Sequence, residues 1–325
     1  MGRLDNMKTE TDTNKILELE LESKIYNIDN LPDHITEFVN SQTKSTTQNN
    51  YNIGLTKFYN YLIDTETEEL NQANINKTIK GYRKYLLNTK KLASTTIDNY
   101  TEIVKTFVNN YLDLQVKTLR RLNSGKTKKI KYLELEEIKG LINTVQYTTK
   151  NEEIITRDKA IICTLFGAGL RISELLSTEL INYNPDESTI IIIGKGKATD
   201  EPETITLPDK TNEYIKQYLQ QRRANKRKCK YLFCSYTDKQ LTRQAVNKNI
   251  KKYANEYDTR NNKNITPKVS SHSFRHSISR YLLVEKGLPI NKVMDYLRHT
   301  NIETTAKYLD NSQEEIQELR KSIVF

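Results

Sequence analysis

The chain is 325 residues long and basic, which narrows the kinds of partner it can have. Lys and Arg number 51 against 41 Asp and Glu, giving a net charge of +10 and a pI of about 9.2. This excess favours a polyanionic partner, with nucleic acid ahead of an acidic membrane surface. Apolar runs fall short of the roughly 18 residues of a membrane span, and the N-terminus lacks a signal-peptide core, so we expect a cytoplasmic protein without membrane contact.

The cysteines and the known nucleotide and metal motifs give no sign of a bound group. Cys163, Cys229 and Cys234 show neither a CxxC pair nor the spacing of metal ligands. An odd number of cysteines without such spacing argues against disulfides and structural zinc. The sequence also has no GxxxxGKS or GxxxxGKT loop and no carboxylate cluster that would hold a divalent ion. We therefore expect neither a cofactor nor a metal.

The N-terminal third is predicted to be helical after a short acidic start. Residues 1–28 are predicted to be mobile, and residues 16–22 within them suit either a short helix or a strand. In residues 29–116 the apolar side chains recur at helical spacing in four stretches, which predicts a domain of four helices. The stretches comprise Ile35, Phe38 and Val39; Tyr51, Leu55, Phe58, Tyr59 and Leu62; Ile79, Tyr82 and Leu86; Ile97, Tyr100, Val104, Phe107 and Val108.

Two of these predicted helices open with similar sequences, Thr46–Tyr51 and Thr95–Tyr100. Each follows a Ser or Thr that is a candidate N-cap, because a hydroxyl can accept a hydrogen bond from the first turn of a helix. Two interpretations remain open. The repeated sequence either supplies ordinary N-caps or marks helix starts that face DNA.

A basic segment separates the two halves of the chain. Residues 117–131 contain seven Lys or Arg, no Asp or Glu, and Asn123-Ser124-Gly125 in the middle, which is typical of a linker. Between two small domains, such a linker suits a clamp that closes around a duplex, with each phosphate contact adding affinity that salt weakens. A solvated run of charge is the alternative interpretation.

Residues 132–325 are predicted to form a second, mostly helical domain with one β-element. Residues 188–193 are rich in β-branched side chains and precede Gly194-Lys195-Gly196, and residues 204–207 resume the strand pattern. This predicts a β-hairpin or a three-stranded sheet. The predicted fold class is therefore mainly α (α+β).

Three of the four histidines, His272, His276 and His299, fall within 28 residues. His272 and Arg275 are three residues apart, so on a helix both lie on one face and can converge on one anion. By itself, this spacing is more often an ordinary surface pair. Tyr308 follows His299 by nine residues, but among 20 tyrosines its default role is packing.

Arg171 follows a glycine-punctuated segment at the predicted start of a helix, where a positive charge opposes the helix dipole. A bound phosphate would explain its position, because the exposed N–H groups and the guanidinium would share one anion. Glu174 lies one turn later, where its carboxylate is placed to orient Arg171. An ordinary surface pair between the two is the equal alternative.

Taken together, six residues in this order resemble the catalytic set of the tyrosine recombinase family. They are Arg171, Lys195, His272, Arg275, His299 and Tyr308. The resemblance covers about residues 133–308 and, more loosely, residues 29–116, which are similar to the family's core-binding domain. It is closest to Xer-like recombinases and to phage or element integrases, through the Gly169–Leu175 motif, the Gly194–Gly196 turn and the spacing from His299 to Tyr308.

The resemblance implies a site-specific recombinase that cuts and rejoins DNA through a 3′-phosphotyrosyl link to Tyr308. Its role would be chromosome dimer resolution or the integration and excision of a mobile element. The two arginines and His299 would bind the phosphate, His272 would accept the tyrosine proton, and Lys195 would protonate the leaving 5′-oxygen. A type IB topoisomerase-like enzyme and an inactive DNA-binding relative are the alternatives.

Two features depart from the usual pattern of the family. Arg298 stands where glycine is usual, which either alters the local backbone or adds a phosphate contact. The loop from Gly194 to Pro208 is longer than usual and acidic, and it leaves Lys197 as a competing candidate for the catalytic lysine. Lys195 is preferred because it follows the predicted strand directly.

Residues 313–325 place Ile316, Leu319, Ile323 and Val324 at helical spacing, in a helix too short to be stable alone. We therefore expect it to dock. The resemblance implies docking on a neighbouring protomer, which gives a homotetramer on two double-stranded DNA sites, associated with the nucleoid. Folding back onto its own domain is the alternative, since it avoids the entropy cost of association.

Overall fold

The computed structural model describes residues 24–122, 131–193 and 201–298. The chain divides into two compact units, residues 1–128 and 129–325, each with its own hydrophobic core. The described residues are mainly helical with small antiparallel sheets, which confirms the predicted mainly α (α+β) fold class. Within these ranges, no helix is long and apolar enough to cross a membrane.

The described part of the first unit is built from four helices, as the apolar spacing predicts. They are α1 (Leu31–Asn40), α2 (Ser45–Asp64), α3 (Ile75–Asn88) and α4 (Ser94–Asn110). Their apolar faces meet in a core that includes the fully buried rings of Phe58, Tyr82 and Phe107. The Phe58 and Tyr82 rings meet edge to face with centroids 5.1 Å apart, an arrangement that aromatic quadrupoles favour.

Two features of this unit differ from the sequence prediction. A short antiparallel pair joins β1 (Ile25–Asn27) to β2 (Glu69–Asn71), and strands of three residues are too short to show an alternating pattern. The residues at the N-caps of α2 and α4 are Lys44 and Ala93, and neither helix start has a side-chain capping bond. The N-cap interpretation of the repeated Thr-Thr sequence is therefore wrong, because the hydroxyl residues lie inside the first turn.

The first part of the predicted basic linker lies against this unit. The N–H of Leu122 donates to both carboxylate oxygens of Asp98, at 3.2 and 3.1 Å. Arg83 binds the same carboxylate at 2.9 Å and a backbone carbonyl of the segment at 2.9 Å. Residues 117–122 are thus fixed to the first unit, whereas residues 123–130 lie outside the described residues.

The second unit is organised around a buried helix. Its described helices are α5 (Leu135–Thr144), α6 (Glu152–Gly167), α7 (Ile172–Ser177), α8 (Asp209–Ala224), α9 (Arg243–Asn261), α10 (Ser271–Arg280) and α11 (Ile290–Leu297). Helix α6 is buried along most of its length and packs against α8 and α10. The loop from α6 to α7 therefore begins at the end of a buried helix that is packed on two others.

Polar groups inside the core also fix helix α9 to helix α6. The buried Arg157 and Asp158 of α6 form an ion pair with Nε and Oδ1 2.7 Å apart. The other oxygen of Asp158 accepts hydrogen bonds from Asn249, at 3.1 Å, and from Tyr253, both on α9. Because buried charges are tolerated only when paired and hydrogen-bonded, this cluster ties the two helices together.

A three-stranded antiparallel sheet of β3 (Tyr183–Asn184), β4 (Thr189–Ile193) and β5 (Pro202–Thr206) interrupts the helices. In the central strand, Ile190 and Ile192 are buried while Ile191 and Ile193 are exposed, the alternation expected of a sheet with one covered face. The sheet agrees with the predicted β-element. The turn between β4 and β5, residues 194–200, lies outside the described residues.

Candidate active site

Arg171 and Glu174 form the first part of the site, at the start of α7. Glu174 accepts a hydrogen bond from the backbone N–H of Arg171 at 2.8 Å and another from its guanidinium at 2.7 Å. The Glu174 side chain is only 2 % exposed, whereas that of Arg171 is 41 % exposed. A buried carboxylate therefore holds an accessible guanidinium in one orientation.

Arg275 lies on α10 beneath this pair and is fully buried. Its two terminal nitrogens donate to the carbonyl oxygens of Gly169 and Leu297. The guanidinium thus joins the loop before α7 to the end of α11. Burial, followed by the positive charges of Arg171 and Arg298, lowers the pKa of Arg275 to about 9, so it remains charged at neutral pH.

Arg298 completes the cluster from the residue after α11. Its backbone is left-handed, with φ 55° and ψ 46°. Its side chain is 6 % exposed and lies with Nη2 3.3 Å from the second oxygen of Glu174. Burial by itself would raise the pKa of Glu174, but the hydrogen bonds from Arg171 and the charges of both arginines outweigh it and lower that pKa.

His272 lies in the first turn of α10, and solvent reaches its side chain. Its ring meets that of His276 edge to face, with centroids 4.4 Å apart. Partial burial and the positive charges of three arginines lower the pKa of His272 below its ordinary value. The three are Arg275, Arg243 and Arg171. The lowered pKa keeps the imidazole neutral at pH 7, the form that accepts a proton.

The structure thus brings together Arg171, Glu174 and Arg275, with His272 within range of their charges. The other predicted catalytic residues, Lys195, His299 and Tyr308, and the competing Lys197, lie outside the described residues.

Two contacts of the site are not predicted by the sequence. The first is the ion pair of Arg298 with Glu174, across 124 residues of chain. The second is the bridge from Arg275 to two backbone carbonyls. The signal for the first is that an arginine occupies a position where glycine is usual. Backbone carbonyls leave no signal in a sequence.

The second unit therefore holds two guanidinium groups, those of Arg171 and Arg298, against the buried carboxylate of Glu174, with His272 and the buried Arg275 nearby. Arginine is suited to recognising phosphate, because its planar group offers several donors in a fixed geometry. Fold and site together define a helical protein that presents a partly exposed arginine held by a buried carboxylate.

The sequence model of the Phage integrase family matches residues 131–315, and the chain belongs to this family. Among curated proteins, it is 31 % identical over 190 residues to the tyrosine recombinase XerD of Staphylococcus saprophyticus. The tyrosine recombinase XerD of Staphylococcus aureus strain Mu50 shows the same identity over the same length. Each match covers 58 % of this chain and 60 % of the relative. The predicted Xer-like resemblance is confirmed, although the match spans only about three-fifths of these relatives.

Solved structures share the fold. The Tn1549 transposon integrase in complex with transposon right end DNA gives a TM-score of 0.71 at 14 % identity, covering 92 % of this chain and 99 % of that one. The XerH site-specific recombinase, bound to a palindromic difH substrate, gives 0.67 at 19 % identity, covering 93 % and 90 %. At these identities the likeness concerns the fold alone.

Proposed function

We propose that this protein is a site-specific DNA recombinase that cuts and rejoins strands through a 3′-phosphotyrosyl intermediate on Tyr308. The observation that carries the proposal is the cluster formed by Arg171 and Arg298 on Glu174, with the charge of Arg275 close by. A phosphodiester repels nucleophiles through its negative oxygens, so a catalyst must supply fixed positive charge at that group. The cluster provides such charge on a rigid support.

Arg171 is the arginine best placed to meet the phosphate. Its guanidinium is partly exposed, and Glu174 holds it from the buried side. Such a group needs little reorganisation when the anion arrives, which is the condition under which electrostatic stabilisation is most effective. Arg275 adds positive charge from beneath and holds the two backbone segments that frame the site.

His272 and Lys195 would move the protons. The Tyr308 oxygen attacks phosphorus and gives its proton to the neutral imidazole of His272, while His299 donates to a phosphate oxygen. The bond from phosphorus to the 5′-oxygen breaks, and Lys195 protonates that oxygen. In the reverse direction, the 5′-hydroxyl of a partner strand gives its proton to Lys195 and attacks phosphorus. The bond from phosphorus to the Tyr308 oxygen breaks, and that oxygen regains its proton from His272. The phosphotyrosyl link stores the energy of the broken phosphodiester bond, so the cycle needs no nucleotide.

Double-stranded DNA carrying a recombination site is the proposed partner. The net charge of +10 supports it, as do the solved complexes of the Tn1549 integrase with transposon right end DNA and of XerH with its difH substrate. We assign DNA binding to residues 29–116 and catalysis to residues 132–325. Two pairs of protomers would assemble as a homotetramer on two sites.

Substitution of the proposed nucleophile tests the chemistry. Footprinting on host genomic DNA identifies the bound site, and a nicked duplex of that sequence traps covalent adducts. The wild-type protein should form an adduct at one strand position, and Tyr308→Phe should form none while still binding the site. Tyr236 is an exposed tyrosine of the same unit, and Tyr236→Phe should form adducts as the wild type does. Adducts with the Tyr308→Phe protein would assign the chemistry to another residue.

A truncation tests the assembly. Protein ending at Asn311 lacks the predicted terminal helix but keeps Tyr308. It should bind one half-site as a single protomer and fail to form two-site complexes in a native gel. Normal two-site assembly by the truncated protein would exclude the terminal helix as the link between protomers.

A further inference from the structure

Arg298 occupies a backbone conformation that does not suit it. At φ 55° it lies in the left-handed region, where a Cβ crowds the following carbonyl and glycine is favoured. Arginine here costs stability relative to glycine. The exposed Lys226 shares this backbone conformation, so what sets Arg298 apart is that its side chain is also buried.

The side chain does not recover this cost through ideal contacts. One terminal nitrogen lies 3.3 Å from Glu174, and the other is 3.3 Å from the carbonyl oxygen of Tyr296. Both distances are long for charged donors. The Nε atom is buried and has no hydrogen-bond partner among the described residues. A buried donor left in this state calls for an explanation, and a functional role is one.

The contact with Glu174 is the informative one. That carboxylate already receives two hydrogen bonds from Arg171, one on each oxygen. Arg298 approaches the oxygen that also accepts the backbone N–H of Arg171, so the guanidinium of Arg171 keeps the other oxygen to itself. Glu174 is therefore held from two sides, and its orientation sets that of Arg171.

We propose that Arg298 is a positioning residue of the phosphate site, which fixes Glu174 and thereby the guanidinium of Arg171. It adds a third positive charge to the cluster and acts on the cleavage step more than on DNA affinity. The proposal rests on the proposed function, since it assigns a role in cleavage of the same phosphodiester.

Glycine is the informative replacement, because it removes the side chain and also suits the left-handed backbone. With the nicked duplex, at saturating protein and at a temperature where melting curves show every variant folded, Arg298→Gly should cleave about 10- to 100-fold more slowly than wild type, the range expected when a reacting group is misplaced slightly. Its affinity for a half-site should stay within about twofold, since the buried Arg298 side chain contacts Glu174, and affinity for DNA is summed over many phosphate contacts. A residue that only stabilises the fold, without acting on Glu174 or Arg171, would leave the cleavage rate unchanged under these conditions.

Lys226 offers a matched control. It is a basic residue of the same unit with φ 52°, and its side chain is exposed. Lys226→Gly should cleave at the wild-type rate. If Arg298→Gly fails to fold, Arg298→Asn replaces it, because asparagine also tolerates the left-handed region.

A cleavage rate for Arg298→Gly within about threefold of the Lys226→Gly rate, against the expected loss of tenfold or more, would overturn the proposal. So would a loss explained entirely by weaker half-site binding. Failure of the proposed function is distinguishable, because then the wild-type protein itself forms no adduct, or Tyr308→Phe still does.

Discussion

Glu174 is the residue on which the cluster depends, and Glu174→Gln tests this directly. The substitution keeps the shape of the side chain and removes its charge. In the native protein the carboxylate lies between Arg171 and Arg298, at 2.7 Å and 3.3 Å from their guanidinium nitrogens. Without the negative charge, the two guanidinium groups face each other across a neutral amide.

The loss of stability in Glu174→Gln can be estimated from the burial of its two partners, Arg171 and Arg298. The Arg298 side chain is 6 % exposed, so its hydrogen bond to the carboxylate falls in the range for charged groups, about 1.5–3 kcal/mol. Arg171 is 41 % exposed, so its share is that of a surface ion pair, about 0–1 kcal/mol. The amide oxygen recovers part of this. We expect a loss of about 2 kcal/mol, or about 4–8 °C in the unfolding temperature of a unit of this size.

Thermal unfolding of Glu174→Gln against Glu136→Gln measures this loss. Glu136 also forms an ion pair with a basic residue three positions later, Lys139, but its side chain is 80 % exposed. The control should shift the melting temperature by at most about 2 °C. The low pKa of Glu174 implies stability that is present above its ordinary value of 4.5 and is lost as pH falls. Glu174→Gln should therefore lose less stability in acid than wild type. Equal melting shifts for the two variants would refute the buried-pair argument.

Three further predictions concern the chemistry. Lys195→Ala should cleave ordinary DNA slowly, and its rate should recover on DNA with a 5′-phosphorothiolate leaving group, which needs no proton. If Lys197→Ala behaves in this way and Lys195→Ala does not, Lys197 is the catalytic lysine. Cleavage should persist in excess EDTA without nucleotide, and a strict magnesium requirement would indicate another reaction. Burial and nearby arginines lower the pKa of His272, so the single-turnover rate should be constant from pH 8 to 7 and fall only below about pH 6.5. A fall in the rate that begins above pH 7 would contradict a neutral His272.

The sequence predicted the helical fold because its apolar spacing is strong over long helices. The helices around Phe58 and Phe107 follow this spacing, and the strand containing Ile190 and Ile192 was predicted from its β-branched residues. The paired strands Ile25–Asn27 and Glu69–Asn71 were not predicted, because three residues are too few to show an alternating pattern. The helix caps were also missed, since a Ser or Thr inside the first turn looks the same in sequence as one at the cap.

In the site, the contact between residues close in sequence was predictable, whereas the contacts between residues far apart in sequence were not. Arg171 and Glu174 are three residues apart, so one helical turn suffices to place them together. Arg275 reaches a carbonyl 106 residues away, and Arg298 reaches a carboxylate 124 residues away. Such contacts depend on how helices pack, and nothing in a single sequence marks which backbone carbonyl will lie beneath an arginine.

The approach of α11 to the loop before α7 is what allows Arg275 to bridge them, and two glycines test how close that approach is. Gly169 and Gly287 both have positive φ, 58° and 62°. A Cβ on Gly169 would lie 2.6 Å from the Leu297 side chain, whereas one on Gly287 would meet nothing within 4 Å among the described residues.

Alanine at either glycine adds the strain of a left-handed residue, about 1–2 kcal/mol. At Gly169 it also forces Leu297 aside, and overpacking of this kind costs about 1–3 kcal/mol more. Gly169→Ala should therefore melt below Gly287→Ala. It should also cleave the nicked duplex more slowly, because the crowded residue, Leu297, also supplies a carbonyl that binds Arg275. If both variants melt at the same temperature and cleave at the same rate, the two segments are not in the close contact on which the bridge by Arg275 depends.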